Sequence, residues 1–203
     1  MAEFSVTKFR AELGTGSRPN LFKVQVTPPA SFTASDFGSF EYLCRSGSLP
    51  SATLGTIEIP MNGGRRLKMG GDRTFTEWTS TVLNDENFKI RSLMESWQNN
   101  IVKTNYEISS TLGNRSASTA AVGTSPAGLY GTVMIYQLKE DGSSVPNGSY
   151  RLKNCWPSDI SAIDLSYDTT DAVEDFTVTW TYDYFENGFL QDGDVAITPL
   201  TKG

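Results

Sequence analysis

Phe176-Thr-Val-Thr-Trp-Thr-Tyr-Asp-Tyr-Phe185 alternates without a break. Phe176, Val178, Trp180, Tyr182 and Tyr184 fall on one side, and Thr177, Thr179, Thr181 and Asp183 on the other. A period of two carried by β-branched and aromatic residues defines a strand with one face buried. The second face is polar, yet it holds small neutral hydroxyls where lysines and glutamates are usual. Such a face suits a strand that lines a space.

The pattern recurs upstream. Between Phe75 and Leu83, Trp78, Ser80 and Val82 oppose Glu77, Thr79 and Thr81. Asn20–Val26 is a strand with Phe22, Val24 and Val26 in phase, stopped by Thr27-Pro28-Pro29. After a loop at 30–38, Phe40–Ser46 reads as a strand closed by Leu49-Pro50. Leu129–Leu138 and Tyr150–Trp156 form a hairpin through Lys139-Glu-Asp-Gly142, and Pro157 ends it. Asn84 or Asp85 caps the one clear helix, whose apolar stripe is Phe88, Leu93 or Met94, Trp97 and Ile101. Residues 1–19 read as an arm, 104–112 as an extended edge, 113–128 as a small-residue insertion and 186–203 as a polar tail. The domain therefore spans 20–185: roughly six or seven strands with one flanking helix, a mainly β, antiparallel sandwich or open barrel.

Composition narrows the chemistry. The 203 residues include no histidine, which removes the imidazole base, the Ser-His and Cys-His pairs and the His metal ligand. Cys44 and Cys155 alone do not make a structural zinc site and are expected as reduced, partly buried thiols. No apolar run approaches the ~18 residues of a membrane span. The N-terminus lacks the apolar core of a secretion signal, so export by that route is not expected. Charge is uneven: residues 1–115 hold 13 Lys/Arg against 11 Asp/Glu, and residues 116–203 hold 4 against 12. An acidic chain is no phosphate-neutralising nucleic-acid binder, though an acidic surface can face DNA without gripping it.

Residues 51–73 stand apart. Two Gly-Gly pairs bracket Arg65, Arg66, Lys68 and Met69, and Arg73 follows. The spacing is not that of a phosphate loop. Thr56–Ile59 reads as a short strand, and apolar residues among the cations favour docking, with a floppy, solvated hairpin as the alternative. Asp164, Asp168, Asp171, Glu174 and Asp175 do not follow calcium-loop spacing and read as an acidic, interface-facing surface. Neither feature supports an enzyme or a cofactor.

The ordered blocks Asn20–Val26, Phe40–Pro50, Thr74–Phe88, Met94–Asn99, Thr132–Leu138, Arg151–Pro157 and Phe176–Tyr184 resemble the tail tube protein of contractile-tailed, T4-like bacteriophages. The resemblance covers roughly 20–185; the inserts and termini depart from it. It implies six-fold rings stacked helically inside a sheath, with strands closing one β-barrel around a lumen that conducts DNA. Baseplate, sheath and tape-measure proteins are the implied partners, with the tail of the virion, assembled in host cytoplasm, as location. Glu77, Thr79, Thr81, Thr177, Thr179, Thr181 and Asp183 then become the expected lumen face. Arg65, Arg66, Lys68, Met69 and Arg73 become the expected inter-ring contact, with Asp164–Asp175 as a partner surface. Two other readings stay open: the inner tube of a related injection system, and a monomeric sandwich that binds ligand through exposed Trp78, Trp156 and Trp180.

Overall fold

A computed structural model describes residues 5–101, 128–168 and 171–188. In chain order the elements are α1 (Val6–Leu13), β1 (Phe22–Thr27), a 3₁₀ turn (Ala34–Phe37), α2 (Phe40–Leu43), β2 (Cys44–Gly47), β3 (Ala52–Pro60) and β4 (Arg66–Phe75). There follow β5 (Trp78–Leu83), α3 (Lys89–Ile101), β6 (Gly131–Leu138), β7 (Ser144–Ile160), β8 (Asp175–Thr181) and β9 (Tyr184–Asn187). Seven strands run in the order β1-β6-β7-β8-β5-β2, with β9 also on β7, and every pairing is antiparallel. A separate two-stranded sheet is formed by β3 and β4.

The long β7 makes the sandwich. It pairs with β9 up to Lys153 and with β6 up to Cys155, and from Trp156 it pairs with β8. The change falls between Cys155 and Trp156, directly after Asn154, whose φ is 51°. Sequence reasoning ends this strand at Pro157, but it continues to Ile160. Proline forfeits a ladder donor, and here it sits beside a bulge between Pro157 and Asp159 where the ladder is already interrupted.

Between the sheets lie Val24, Val26, Val133, Ile135 and Leu152 from one side and Trp78, Val82, Phe176, Val178 and Trp180 from the other. Helix α3 adds Ile90, Met94 and Trp97. Its first free amide is capped by Asp85 Oδ1, which accepts the Lys89 N–H at 2.9 Å. Phe88 lies before the helix at φ 52° and is exposed, so Ile90 starts the buried stripe in its place. Trp97 stands edge-on to Phe37 at 5.7 Å and to Trp180 at 5.8 Å, which ties helix, connector and sheet together. Gly131 passes so close to Trp97 that a Cβ there would lie 2.6 Å from the indole and 2.5 Å from the Thr27 carbonyl.

Several local expectations change. Phe40–Leu43 is helical because Phe37 and Phe40 are both buried at a spacing of three, and the Tyr42 and Leu43 amides donate to the Ser39 carbonyl. The strand opened by Phe176 breaks at Tyr182–Asp183, and the chain crosses to the other sheet as β9. The break shifts the phase: Phe185 packs on the core and Tyr184 is exposed. Residues 186 and 187, read as tail, belong to that strand and are held by Arg151 and Lys153 near Glu186. The arm contains α1, whose Val6, Phe9 and Leu13 are all exposed. Cys44 and Cys155 are free, on strands separated by β8 and β5. The 104–112 edge and the insertion, apart from Gly128, lie outside the described residues.

Candidate functional site

The hydroxyl face assembles from two paired strands. Register places Thr79 opposite Thr179 and Thr81 opposite Thr177, while Trp78, Ser80 and Val82 turn inward against Trp180, Val178 and Phe176. Alternation along both strands leaves the four threonines on the face opposite the core. Glu77 joins them at the edge, accepting the Thr181 hydroxyl at 3.1 Å. Asp183 does not join the paired array. It sits at the crossing between sheets and accepts from Asn154 Nδ2 at 2.7 Å.

Two members of this face were not anticipated. Asp159 pairs with Thr179 and Ser46 with Thr81. Asp159 is missed when β7 is ended at Pro157, and Ser46 when β2 is not recognised as the neighbour of β5. Arg45 and Asp175 form an ion pair of 2.7 Å at the far end.

The 51–73 segment is a hairpin of β3 and β4, longer than the short Thr56–Ile59 strand read from the sequence. Its turn is closed by the Met61 N–H donating to the Arg65 carbonyl at 2.8 Å, with Gly63 and Gly64 at φ 90° and 77°. The second Gly-Gly pair lies at a register shift between Leu54 and Thr56. Register separates the two faces. Ile57 pairs with Met69 and Ile59 with Leu67, while Glu58 pairs with Lys68 and Pro60 with Arg66. One face is therefore apolar and the other charged, with Glu58 accepting from Arg66 at 2.8 Å and forming an ion pair with Lys68 at 3.6 Å.

The five expected contact residues thus divide. Met69 belongs to the apolar face, Arg66 and Lys68 to the charged face, Arg65 to the turn, and Arg73 lies beyond the bulge opposite Leu54. Every residue of β3 is exposed, including Ile57 at 54% and Ile59 at 42%. The root of the hairpin is held: Phe75 packs on Tyr182 and Phe185, and the Tyr182 hydroxyl donates to the Thr76 carbonyl at 2.7 Å. Burial pushes the Tyr182 phenol above its ordinary value.

Trp78 and Trp180 are 1% and 0% exposed, which removes the aromatic platform that a sugar-binding sandwich needs. Trp156 is half-buried and stacked on Tyr130 at 4.6 Å. Among the described residues, no three His, Cys, Asp or Glu side chains converge as metal ligands do.

The described residues form an antiparallel sandwich with an exposed hairpin arm and a hydroxyl-lined sheet face. Residues 17–187 match the family model for the phage tail tube protein, and the chain belongs to that family of virion structural proteins. It is 29% identical over 175 residues to the tail tube protein gp19 of Enterobacteria phage T4, covering 86% of this chain and 94% of that one. It is 27% identical over 183 residues to the tail tube protein of Serratia phage KSP90, covering 88% and 94%. Among solved structures it is similar to a chain of the anti-feeding prophage baseplate (TM-score 0.55, 14% identity, 85% of this chain and 95% of that one). It is equally similar to a chain of the sheath/tube terminator of an extracellular contractile injection system (TM-score 0.55, 14% identity, 92% and 98%). At that identity these two likenesses concern the fold.

Proposed function

We propose that this subunit closes into six-fold rings, stacks them into a hollow tube, and turns the face of β5 and β8 toward a lumen that conducts DNA. The observation that carries this reading is the paired threonine array. Thr79, Thr81, Thr177 and Thr179 form a neutral, short-chained surface, edged by Glu77 and Asp159. Carboxylates there repel phosphate, and neutral hydroxyls offer it no cation to bind, so a polyanion slides without sticking.

Assembly answers a second feature. The strand order ends in β1 on one side and β2 on the other, and edge strands invite pairing with another chain. Side-by-side pairing of such edges closes a ring, and the hairpin links one ring to the next. The role is structural and non-enzymatic, with sheath, baseplate and tape-measure proteins as the expected companions.

Negative-stain electron microscopy of the purified chain, dilute and then concentrated at low and high salt, tests the reading. Rings or hollow tubes are expected. Monomer that stays dispersed even with added tube or baseplate seeds would contradict it.

A further inference from the structure

The sequence holds three Asn-Gly pairs: Asn62-Gly63, Asn147-Gly148 and Asn187-Gly188. Glycine after asparagine leaves the next amide nitrogen open to the side-chain carbonyl carbon, because no Cβ stands in the way. Such a pair can close into a cyclic imide when the glycine N–H is free and the chain has room to bend. The fold treats the three pairs differently.

Two pairs are held by the sandwich. Asn187 belongs to β9 and pairs with Tyr150, and the Gly188 N–H donates to the Ser149 carbonyl at 2.9 Å. Asn147 and Gly148 belong to β7, and a Cβ on Gly148 would lie 2.9 Å from the Gln137 Cβ. The remaining pair is unconfined. Asn62 and Gly63 sit at the tip of the β3–β4 hairpin, where residues 61–65 are all exposed. Gly63 and Gly64 have φ of 90° and 77°, and nothing lies within 4 Å of where a Cβ would stand on either. The Met61 N–H and the Arg65 carbonyl close the turn, and among the described residues no backbone carbonyl accepts the Gly63 N–H.

We propose that Asn62 is a self-modification site, converted by water to aspartate and isoaspartate in the folded subunit. The Gly63 amide nitrogen attacks Cγ of Asn62. The new C–N bond replaces the bond from Cγ to Nδ2, and ammonia leaves with the proton of the Gly63 amide. Water then opens the imide. Attack at the side-chain carbonyl restores the main chain and leaves aspartate; attack at the main-chain carbonyl leaves isoaspartate, with Cγ now in the main chain. Either product adds a carboxylate beside Arg65 and Arg66, which lowers the positive charge of the hairpin by one at neutral pH. Isoaspartate also lengthens the main chain inside the turn that Met61 and Arg65 close at 2.8 Å. This assignment goes beyond the tube reading and does not depend on it, because the imide forms within a single subunit.

Ageing the purified chain, kept dilute at pH 8, tests the assignment. Trypsin then releases residues 46–65, in which Asn62 is the single side-chain amide, and mass spectrometry follows conversion there and at Asn187. In the folded chain Asn62 should convert at least about tenfold faster than Asn187, whose following amide must first leave its ladder, and the two rates should converge in urea. Isoaspartyl methyltransferase should label residues 46–65 of the aged chain. Gly63→Ala should slow the conversion severalfold, with far-UV circular dichroism unchanged. Equal rates at the two sites in the folded chain, a preference for Asn62 that persists undiminished in urea, or an unaltered rate in the Gly63→Ala chain would overturn the assignment.

Discussion

Trp180 donates its indole N–H to the hydroxyl of Ser80, 3.0 Å away, in the centre of the sandwich. Both side chains are removed from water, at 0% and 1% exposure. Ser80 is the one polar residue on the inward side of β5, and this bond explains it. Ser80→Ala leaves a buried donor unsatisfied and should cost ~1–3 kcal/mol. Urea unfolding of the monomer checks this; an unchanged midpoint would show that the indole does not depend on Ser80.

Gly131 is required by contact, not by backbone conformation. A Cβ there would meet the Thr27 carbonyl at 2.5 Å and Trp97 at 2.6 Å. Gly131→Ala should destabilise by ~1–3 kcal/mol as α3 and β1 are pushed from β6. Gly128→Ala, where nothing lies within 4 Å, is the control and should stay within ~0.5 kcal/mol. Thermal unfolding of the two variants should separate them clearly.

Burial pushes both thiols, Cys44 and Cys155, from an ordinary value of 9.0 to about 12. The folded state therefore holds its thiol protons more tightly than the unfolded chain. This contribution to stability is whole below about pH 9 and is lost as pH rises toward about 12. Ellman's reagent at pH 8 should leave Cys155 unmodified in the native monomer and label both cysteines in urea. Rapid native labelling of Cys155 would contradict its burial.

The apolar side of the hairpin belongs to an assembly contact in this account. Ile57→Glu and Met69→Glu should block tube growth while leaving monomer stability within ~0.5 kcal/mol, since neither side chain is buried in the subunit. Sedimentation with and without seeds reads the effect. Normal tubes from either variant would detach the hairpin from stacking.

A lysine on the hydroxyl face should change how the tube meets DNA. Thr179→Lys leaves the inward side of β8 untouched and adds a cation opposite Thr79. Tubes of this variant should retain linear DNA at low salt and release it as salt rises, while wild-type tubes retain none. Equal behaviour of the two would argue against a phosphate-repelling lumen.

Much of the sandwich was legible because its strands obey a two-residue period and bury one side. Phe176–Trp180 and Trp78–Val82 keep their inward residues where alternation puts them. Thr79, Thr81, Thr177 and Thr179 follow by the same geometry. The failures have physical causes. Apart from Phe75 at the root, the hairpin leaves its side chains exposed, so β3 and β4 lack the contrast that marks a strand. Phe40 joined a helix in which the Tyr42 and Leu43 amides close on the Ser39 carbonyl, and it is buried three residues after the buried Phe37. Pro157 does not stop β7 because a bulge takes up the missing donor, and that concealed Asp159 on the hydroxyl face. Charge counts located an acidic surface and a basic segment, but strand register was needed to divide the basic segment into an apolar and a charged face.

Helical reconstruction of assembled tubes by cryo-electron microscopy tests the central claim most directly. The account predicts Thr79, Thr81, Thr177 and Thr179 on the inner wall, with Glu77 beside them. Density that places these threonines on the outer wall, or against the core of a neighbouring subunit, would contradict it.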